Sequence, residues 1–168
     1  MSTNKKKQLF SEIYNENSDS ILRLCYMYLK DTQLAQDATQ ETFLKAYKKL
    51  SSFRELSCIN TWLTSIAINT CKNIIRKSNY KEKDISLEEV EYQLSYAMSD
   101  NDKTLAVSDA VTSLPQDYCE IILLRYYRDL PIKDIAKLLS LPQTTVNYRL
   151  LKAKSLLKDI LKEDFFDE

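Results

Sequence analysis

The chain has 168 residues, of which 44% are hydrophobic, and its 24 Lys and Arg are balanced by 24 Asp and Glu. This composition excludes a disordered chain and suffices for one domain or two small ones. The absence of glycine and histidine from the sequence argues against glycine-rich phosphate loops and against imidazole-based catalysis or metal binding. We therefore predict an all-α protein that is not an enzyme and uses no cofactor.

The neutral net charge conceals a segregation of charge along the chain. Residues 1–79 carry twelve Lys and Arg against seven Asp and Glu, residues 80–112 carry three against eight, and residues 113–168 carry nine against nine. The acidic middle segment lacks helical periodicity over most of its length, which is typical of a tether. We predict two small helical domains, residues 1–79 and 113–168, joined by a flexible acidic linker of residues 80–112.

Apolar periodicity in the first domain predicts four helices behind a basic, mobile tail that contains Lys5, Lys6 and Lys7. The predicted helices begin near residue 9, cover residues 18–30, 32–50 and 59–78, and leave a loop at residues 51–58. The Asp31-Thr32 pair offers a cap for the third helix. Trp62 falls on the apolar stripe of the fourth helix, which favours core packing over a contact with DNA.

Cysteine usage and hydropathy indicate the cellular compartment. The four cysteines, Cys25, Cys58, Cys71 and Cys119, form no C-x-x-C pair and fall at or near apolar helical stripes, which predicts buried thiols. A metal or redox site of Cys58 and Cys71 is the alternative, although their spacing matches no ligand pattern. The sequence contains no secretory-type segment and no apolar run of spanning length, so we expect a cytoplasmic protein without a metal and without membrane insertion.

Residues 130–154 carry the pattern of a helix-turn-helix. Pro131 can take the first position of a short helix, Leu141-Pro142 ends that helix, and Thr144 or Thr145 can cap the next one. The second helix has one apolar face, which predicts its packing against the rest of the domain. That face consists of Val146, Leu150, Ala153, Leu157, Ile160 and Leu161.

The opposite face of the second helix has the chemistry of a DNA reader. Amide, hydroxyl and aromatic side chains lie near its N-terminus with cations beside them, as major-groove reading requires, because base edges specify and phosphates position. Asn147, for example, can pair with an adenine edge. The predicted contacts are Gln143, Thr144, Thr145, Asn147, Tyr148, Arg149, Leu151 and Lys152. The alternative is a helical hairpin whose cations are only a solvated face.

Two stretches of the chain, one in each predicted domain, resemble in this order the extracytoplasmic-function group of the bacterial sigma-70 family. Residues 37–47 resemble its core-polymerase-binding helix. Phe53-Arg54, together with residues 61–63 and 66–69, resembles its reader of the downstream promoter element. Residues 114–157 resemble its reader of the upstream element. The likeness covers nearly the whole chain and implies a sigma factor that directs transcription initiation, with core RNA polymerase and promoter DNA as partners. It also implies control by an anti-sigma factor.

The resemblance and the helical pattern together assign two further sets of residues. A polar face on the third predicted helix offers carboxylates and amides to a cationic partner, which in the family is RNA polymerase; the alternative is ordinary solvated surface. This polymerase-binding set is Asp37, Gln40, Glu41 and Lys45. A second set lies on the fourth predicted helix, largely opposite its buried stripe, and in the loop that precedes this helix. These residues can hold a melted DNA strand. The downstream set is Phe53, Arg54, Asn60, Thr61, Ser65, Ile68, Asn69, Lys72 and Arg76.

Three departures from the family pattern limit what the resemblance implies. Ser140 stands where a glycine commonly ends the first helix of the motif, so either this serine accepts a left-handed backbone at about 1 kcal/mol or the turn is built differently. Thr144, Asn147 and Tyr148 replace commoner Gly, Lys and Ser in the reading helix, and Ile68 replaces a frequent Arg. The promoter sequence cannot be inherited from the family.

Two other functions fit the same residues. A stand-alone regulator would keep the helix-turn-helix, use the first domain for dimerisation or effector contact, and bind symmetric half-sites without polymerase. A purely helical adaptor would bind neither DNA nor polymerase and would show no salt-dependent retention by DNA.

Overall fold

The computed structural model describes residues 3–53, 58–80 and 102–166, with side chains described in 3–53, 58–78 and 105–162. These residues form helices and connecting turns with no strand, which confirms the predicted fold class. The helices are α1 (Thr3–Leu29), α2 (Thr32–Lys49), α3 (Ile59–Tyr80), α4 (Asp102–Ser113), α5 (Gln116–Ile122), α6 (Ile132–Leu139) and α7 (Gln143–Phe166). A 3-10 turn, Leu50–Ser52, follows α2, and a π-helical turn, Leu123–Tyr127, continues α5. The chain divides into two compact units, Met1–Ile85 and Ser86–Glu168.

Helix α1 is one helix of 27 residues, so the predicted tail and two separate helices are wrong. The polar segment of residues 15–20 continues the helix, and the apolar residues on either side of it, Ile13, Ile21 and Leu24, lie on one buried face. Two side chains of the segment bond to backbone carbonyls of the same helix. Asn17 Nδ2 donates to Ile13 O at 2.9 Å, and Ser20 Oγ donates to Asn17 O at 3.0 Å. At the other end, Lys6 Nζ lies 4.5 Å from the centre of the Tyr47 ring, so the predicted tail is held against α2 by a cation–π contact.

The core of the first unit lies where α1, α2 and α3 pack against one another. Helix α2 begins as predicted, because the Asp31 carboxylate accepts a hydrogen bond from Leu34 N at 2.7 Å and so satisfies an amide of the first turn. The core is made of buried apolar side chains on all three helices. They include Ile21, Leu24, Cys25, Ala35, Ala38, Phe43, Leu63, Ala67, Ile68 and Cys71.

Three of the four cysteines are buried as predicted, whereas Cys58 is exposed just before α3. A hydrogen bond with Cys25, together with burial, raises the pKa of the Cys71 thiol well above its ordinary value. Cys71 and Cys25 are thus neighbouring free thiols in the core, whereas Cys58 lies at the surface, which gives the alternative metal or redox site of Cys58 and Cys71 no support. Among the described helices, none combines the length and apolar content needed to cross a bilayer.

In the second unit, α7 packs against α4, α5 and α6. Its apolar face is arranged as predicted, with Val146, Leu150 and Ala153 buried, while the other three predicted positions are partly exposed. Helix α4 lies in residues 80–112, which the sequence assigned to the linker, except for its last residue, Ser113. Its Ser108, Ala110 and Val111 are buried, so α4 is part of the second unit's packing, and the predicted start of that domain at residue 113 is too late.

Candidate nucleic-acid and protein interfaces

The turn between α6 and α7 is built on Ser140, which adopts the left-handed conformation with φ 55° and ψ 42°. Two hydrogen bonds close the turn, from Ser140 N to Lys137 O at 3.3 Å and from Leu141 N to Ala136 O at 2.9 Å. This is the Schellman arrangement that glycine usually completes. Of the two expectations for this position, the serine therefore accepts the strained backbone, and the helix-turn-helix keeps its geometry.

The starts of α6 and α7 differ slightly from the prediction. Pro131 precedes α6 as its cap residue, with an extended ψ of 152°, and its carbonyl accepts hydrogen bonds from Asp134 N and Ile135 N at 2.9 and 3.1 Å. Helix α7 begins at Gln143, one residue before the threonines that were expected to cap it. Thr144 and Thr145 therefore lie inside its first turn, where their side chains belong to the helix surface.

The N-terminal half of α7 presents a continuous exposed surface, which we call the reading face: Gln143, Thr144, Asn147, Tyr148, Leu151 and Lys152. Thr145 is partly buried beside it. Tyr148 and Leu151 are 64% and 69% exposed, although both are large hydrophobic side chains. Apolar groups beside amide and hydroxyl groups can contact thymine methyls and base edges together, so the exposure of these side chains suits a surface that meets DNA.

Two cations that flank the reading face are engaged within the unit. Arg149 Nη2 lies 3.2 Å from Asp117 Oδ2 on α5, and the Arg149 side chain is 25% exposed. On the other flank, Lys154 Nζ lies 5.3 Å from the centre of the Tyr126 ring. Arg149 was predicted from the sequence as a DNA contact, whereas its partner Asp117 was not identified, because nothing in the helical pattern pairs residues that lie 32 positions apart.

On α3, the structure leaves most of the predicted downstream set at the surface. Asn69 and Arg76 are exposed, and Asn60, Thr61, Ser65 and Lys72 are partly exposed. Ile68 is completely buried, so its assignment to a DNA-facing surface is wrong. Thr64, Ile68 and Cys71 form a second buried row because α3 packs against both α1 and α2, which widens its buried face. Arg54, also in the predicted set, lies outside the described residues.

Phe53 and Trp62 form an aromatic pair just before and at the start of α3. Their ring centroids are 4.7 Å apart with an interplanar angle of 45°, and both side chains remain partly exposed. The apolar stripe favoured core packing for Trp62, and its side chain is indeed partly buried, but it also packs on the ring of Phe53. Trp62 supports Phe53, whose ring was predicted to meet unstacked bases.

The polar face of α2 is partly exposed and partly tied to α3. Asp37 and Gln40 are exposed. Lys45 Nζ lies 2.6 Å from Glu41 Oε1 and donates a hydrogen bond to Thr70 Oγ1 on α3 at 3.2 Å. The face also contains Leu44, which is 62% exposed and was not predicted. Its position, three residues after Glu41 and off the apolar stripe of α2, is the sequence signal that could have identified it.

Each of the two units matches a known family model, and the two matches follow one another along the chain. Residues 13–80 match the family model described as Sigma-70 region 2, and residues 104–157 match the one described as Sigma-70, region 4. The chain is 31% identical to the RNA polymerase sigma-H factor of Pseudomonas aeruginosa, covering 93% of this chain and 88% of that protein. It is 29% identical to the ECF RNA polymerase sigma-E factor of Haemophilus influenzae, covering 91% and 87%.

Among solved structures, the fold matches the sigma factor RpoE of Bartonella quintana, crystallised in complex with the anti-sigma factor NepR. The TM-score is 0.73 at 20% identity, and the match covers 95% of this chain and 98% of that one. The fold, the order of the two matched regions and the similarity over nearly the full length agree with the resemblance drawn from the sequence. The chain therefore belongs to the extracytoplasmic-function group of the sigma-70 family of RNA polymerase sigma factors.

Proposed function

We propose that this chain binds core RNA polymerase, directs it to a two-part promoter and helps to open the downstream element. It catalyses no reaction and needs no cofactor, because the polymerase performs the chemistry. The observation that carries the proposal is the reading face of α7, which is exposed at the N-terminal end of the second helix of a complete helix-turn-helix. Because bacterial RNA polymerase and promoter DNA are in the cytoplasm, we infer that the chain acts there.

The reading face is proposed to contact the upstream element in the major groove. Asn147 and the hydroxyl of Thr144 meet base edges, Tyr148 and Leu151 meet thymine methyl groups, and Lys152 meets a phosphate. Gln143, Thr145 and Arg149 complete the contact surface at its edges.

The exposed side of α3 is proposed to hold the opened downstream element. Asn69, Lys72 and Arg76 can bind phosphates and unpaired bases of a single strand, while Phe53, supported by Trp62, offers a ring on which a base can stack. Asn60, Thr61 and Ser65 line the same side of the helix.

The polar face of α2 is proposed to bind the polymerase through Asp37, Gln40 and Glu41. Leu44 adds an exposed apolar side chain among these polar groups, which is the usual composition of a protein interface, with an apolar centre and a polar rim. Lys45 contributes by holding Glu41 in place. Because the matched relative from Bartonella quintana was solved with an anti-sigma factor, we also propose that an inhibitory protein covers these faces until a signal releases the chain.

Run-off transcription with bacterial core RNA polymerase and fragmented DNA of the native host tests the proposal. The chain should start transcripts from a defined set of fragments, and a footprint on them should be asymmetric and should require the polymerase. Failure to direct initiation from any fragment would refute the proposal. Symmetric half-sites protected without polymerase would instead identify a stand-alone regulator.

A further inference from the structure

The ion pair between Arg149 and Asp117 joins the flank of the reading face to α5. The Arg149 side chain is only 25% exposed, whereas that of Asp117 is 64% exposed, and the contact joins Nη2 to Oδ2 at 3.2 Å. A guanidinium carries five N–H donors in a rigid plane. One contact with a carboxylate restricts the orientation of that plane and leaves other donors for a second acceptor.

Arg149 is placed where such a second acceptor would be a DNA phosphate. It follows Tyr148 of the reading face directly and lies one helical turn before Lys152, which is exposed on the same flank. When Tyr148 and Asn147 enter a groove, this flank faces the sugar–phosphate backbone that borders the groove.

A carboxylate at this place is otherwise unfavourable for a DNA-binding surface. Asp117 adds negative charge near a polyanion and offsets the charge of Arg149, so electrostatics alone predicts that its removal strengthens binding. Binding DNA immobilises the long arginine side chain, which costs conformational entropy. Asp117 can still favour binding if it already holds Arg149 in place in the free protein, because less entropy is then lost on binding.

We propose that Asp117 is a positioning residue that holds the Arg149 guanidinium toward a phosphate beside the upstream promoter element. The inference rests on the proposed function, because it needs α7 to lie in a DNA groove. It assigns a role in DNA binding to a residue of α5 that lies outside the reading helix.

The sign of the effect of Asp117→Asn tests the proposal. The full-length chain is bound to core RNA polymerase, and affinity is measured over a range of salt concentrations on a fragment from which the wild-type holoenzyme initiates. Asp117→Asn should weaken binding about two- to fivefold and reduce the slope of log affinity against log salt by about 0.9, the value for one lost phosphate contact. The charge-matched control Asp159→Asn, at an exposed site later on α7, should leave the slope unchanged.

Arg149→Ala should reduce the slope by the same amount, and the double variant Asp117→Asn with Arg149→Ala should lose no more than Arg149→Ala alone. Tighter or unchanged binding by Asp117→Asn would overturn the inference, and so would losses that add in the double variant. If the wild-type holoenzyme initiates from no fragment, the proposed function fails first and is recognised before any variant is compared.

A charge swap distinguishes two roles of the ion pair: positioning Arg149 for DNA binding, and stabilising the packing of α5 against α7. Asp117→Arg with Arg149→Asp can restore the ion pair but turns a carboxylate toward the DNA. Its urea midpoint of unfolding should return toward that of the wild type relative to Arg149→Ala, while promoter affinity stays low. Recovery of affinity together with stability would show that the pair serves only the fold and would refute the inference.

Discussion

Lys45 on α2 donates a hydrogen bond to Thr70 Oγ1 on α3 at 3.2 Å while its ammonium group lies 2.6 Å from Glu41 Oε1. Thr70 is buried, so this contact fixes the end of the lysine side chain at the junction of the two helices. The junction joins the polymerase face proposed on α2 to the strand-holding side proposed on α3. The role of Lys45 that this geometry favours is to orient Glu41, with its own charge already partnered inside the unit.

Removing either end of this hydrogen bond should therefore weaken the packing of α2 on α3. Lys45→Met and Thr70→Val should each lower the free energy of unfolding by about 0.5–1.5 kcal/mol, measured by urea denaturation of the full chain. The double variant should lose little more than the larger single loss, because both changes remove the same bond. Lys48→Met, at an exposed position of α2, is the control and should change the free energy of unfolding by less than about 0.5 kcal/mol. Strictly additive losses would contradict the coupling.

The left-handed conformation of Ser140 makes a second prediction about stability. This conformation destabilises a residue with a Cβ by about 1 kcal/mol. Glycine avoids that steric cost but loses more backbone entropy on folding. Ser140→Gly should therefore leave the free energy of unfolding unchanged or raise it by up to about 1 kcal/mol. The same substitution at Ser155, an exposed site within α7, should lower it by about 0.5–1 kcal/mol. Equal losses at the two sites would show that the backbone of Ser140 is not strained.

Apolar periodicity predicts the helices and the two lobes of this chain because burial of an apolar stripe drives both folding and the spacing of residues. It fails where a helix passes through a polar segment or packs on two neighbours. Residues 15–20 of α1 are exposed or partly exposed, so they interrupt the apolar repeat although the helix continues from the buried Ile13 to the buried Ile21. Ile68 was misplaced because a helix that packs on two neighbours has a buried face wider than one stripe.

The candidate sites divide in the same way. The reading face follows from the order of residues on α7, since polar and apolar positions alternate with the helical period there. The partners of Arg149 beside that face and of Lys45 on α2 do not follow, because Asp117 and Thr70 reach them through tertiary packing. The sequence also does not determine whether Ser140 adopts the left-handed conformation, because serine neither requires nor excludes it. The hydrogen bonds of the Ser140 and Leu141 amides to α6 stabilise that conformation.

The proposed polymerase face predicts the effect of reversing its charges. Asp37→Arg with Glu41→Arg should abolish co-purification with core RNA polymerase, because two cations would replace the carboxylates offered to a cationic surface. Circular dichroism should show unchanged helicity. The control is Glu16→Arg with Asp19→Arg, at exposed positions on α1, which makes the same change of charge and should leave co-purification intact. Normal recovery of polymerase with the α2 variant would remove this face from the docking surface.

Exposure of Tyr148 and Leu151 on the reading face predicts that the upstream element is read partly through thymine methyl groups. Neither side chain is needed for packing, since they are 64% and 69% exposed. The hydrophobic gain of covering one methyl group is about 0.8 kcal/mol, or roughly fourfold in affinity.

Replacing thymine by uracil in the upstream element removes only that methyl group. The wild-type holoenzyme should lose about fourfold at each contacted thymine, and Leu151→Ala or Tyr148→Ala should bind the two versions equally at the thymine that the missing side chain covered. Uracil placed outside the footprint is the control and should change nothing. If uracil is tolerated throughout the element while the promoter is still recognised, these two side chains do not read methyl groups, and selection must come from the amide and hydroxyl groups of Asn147 and Thr144.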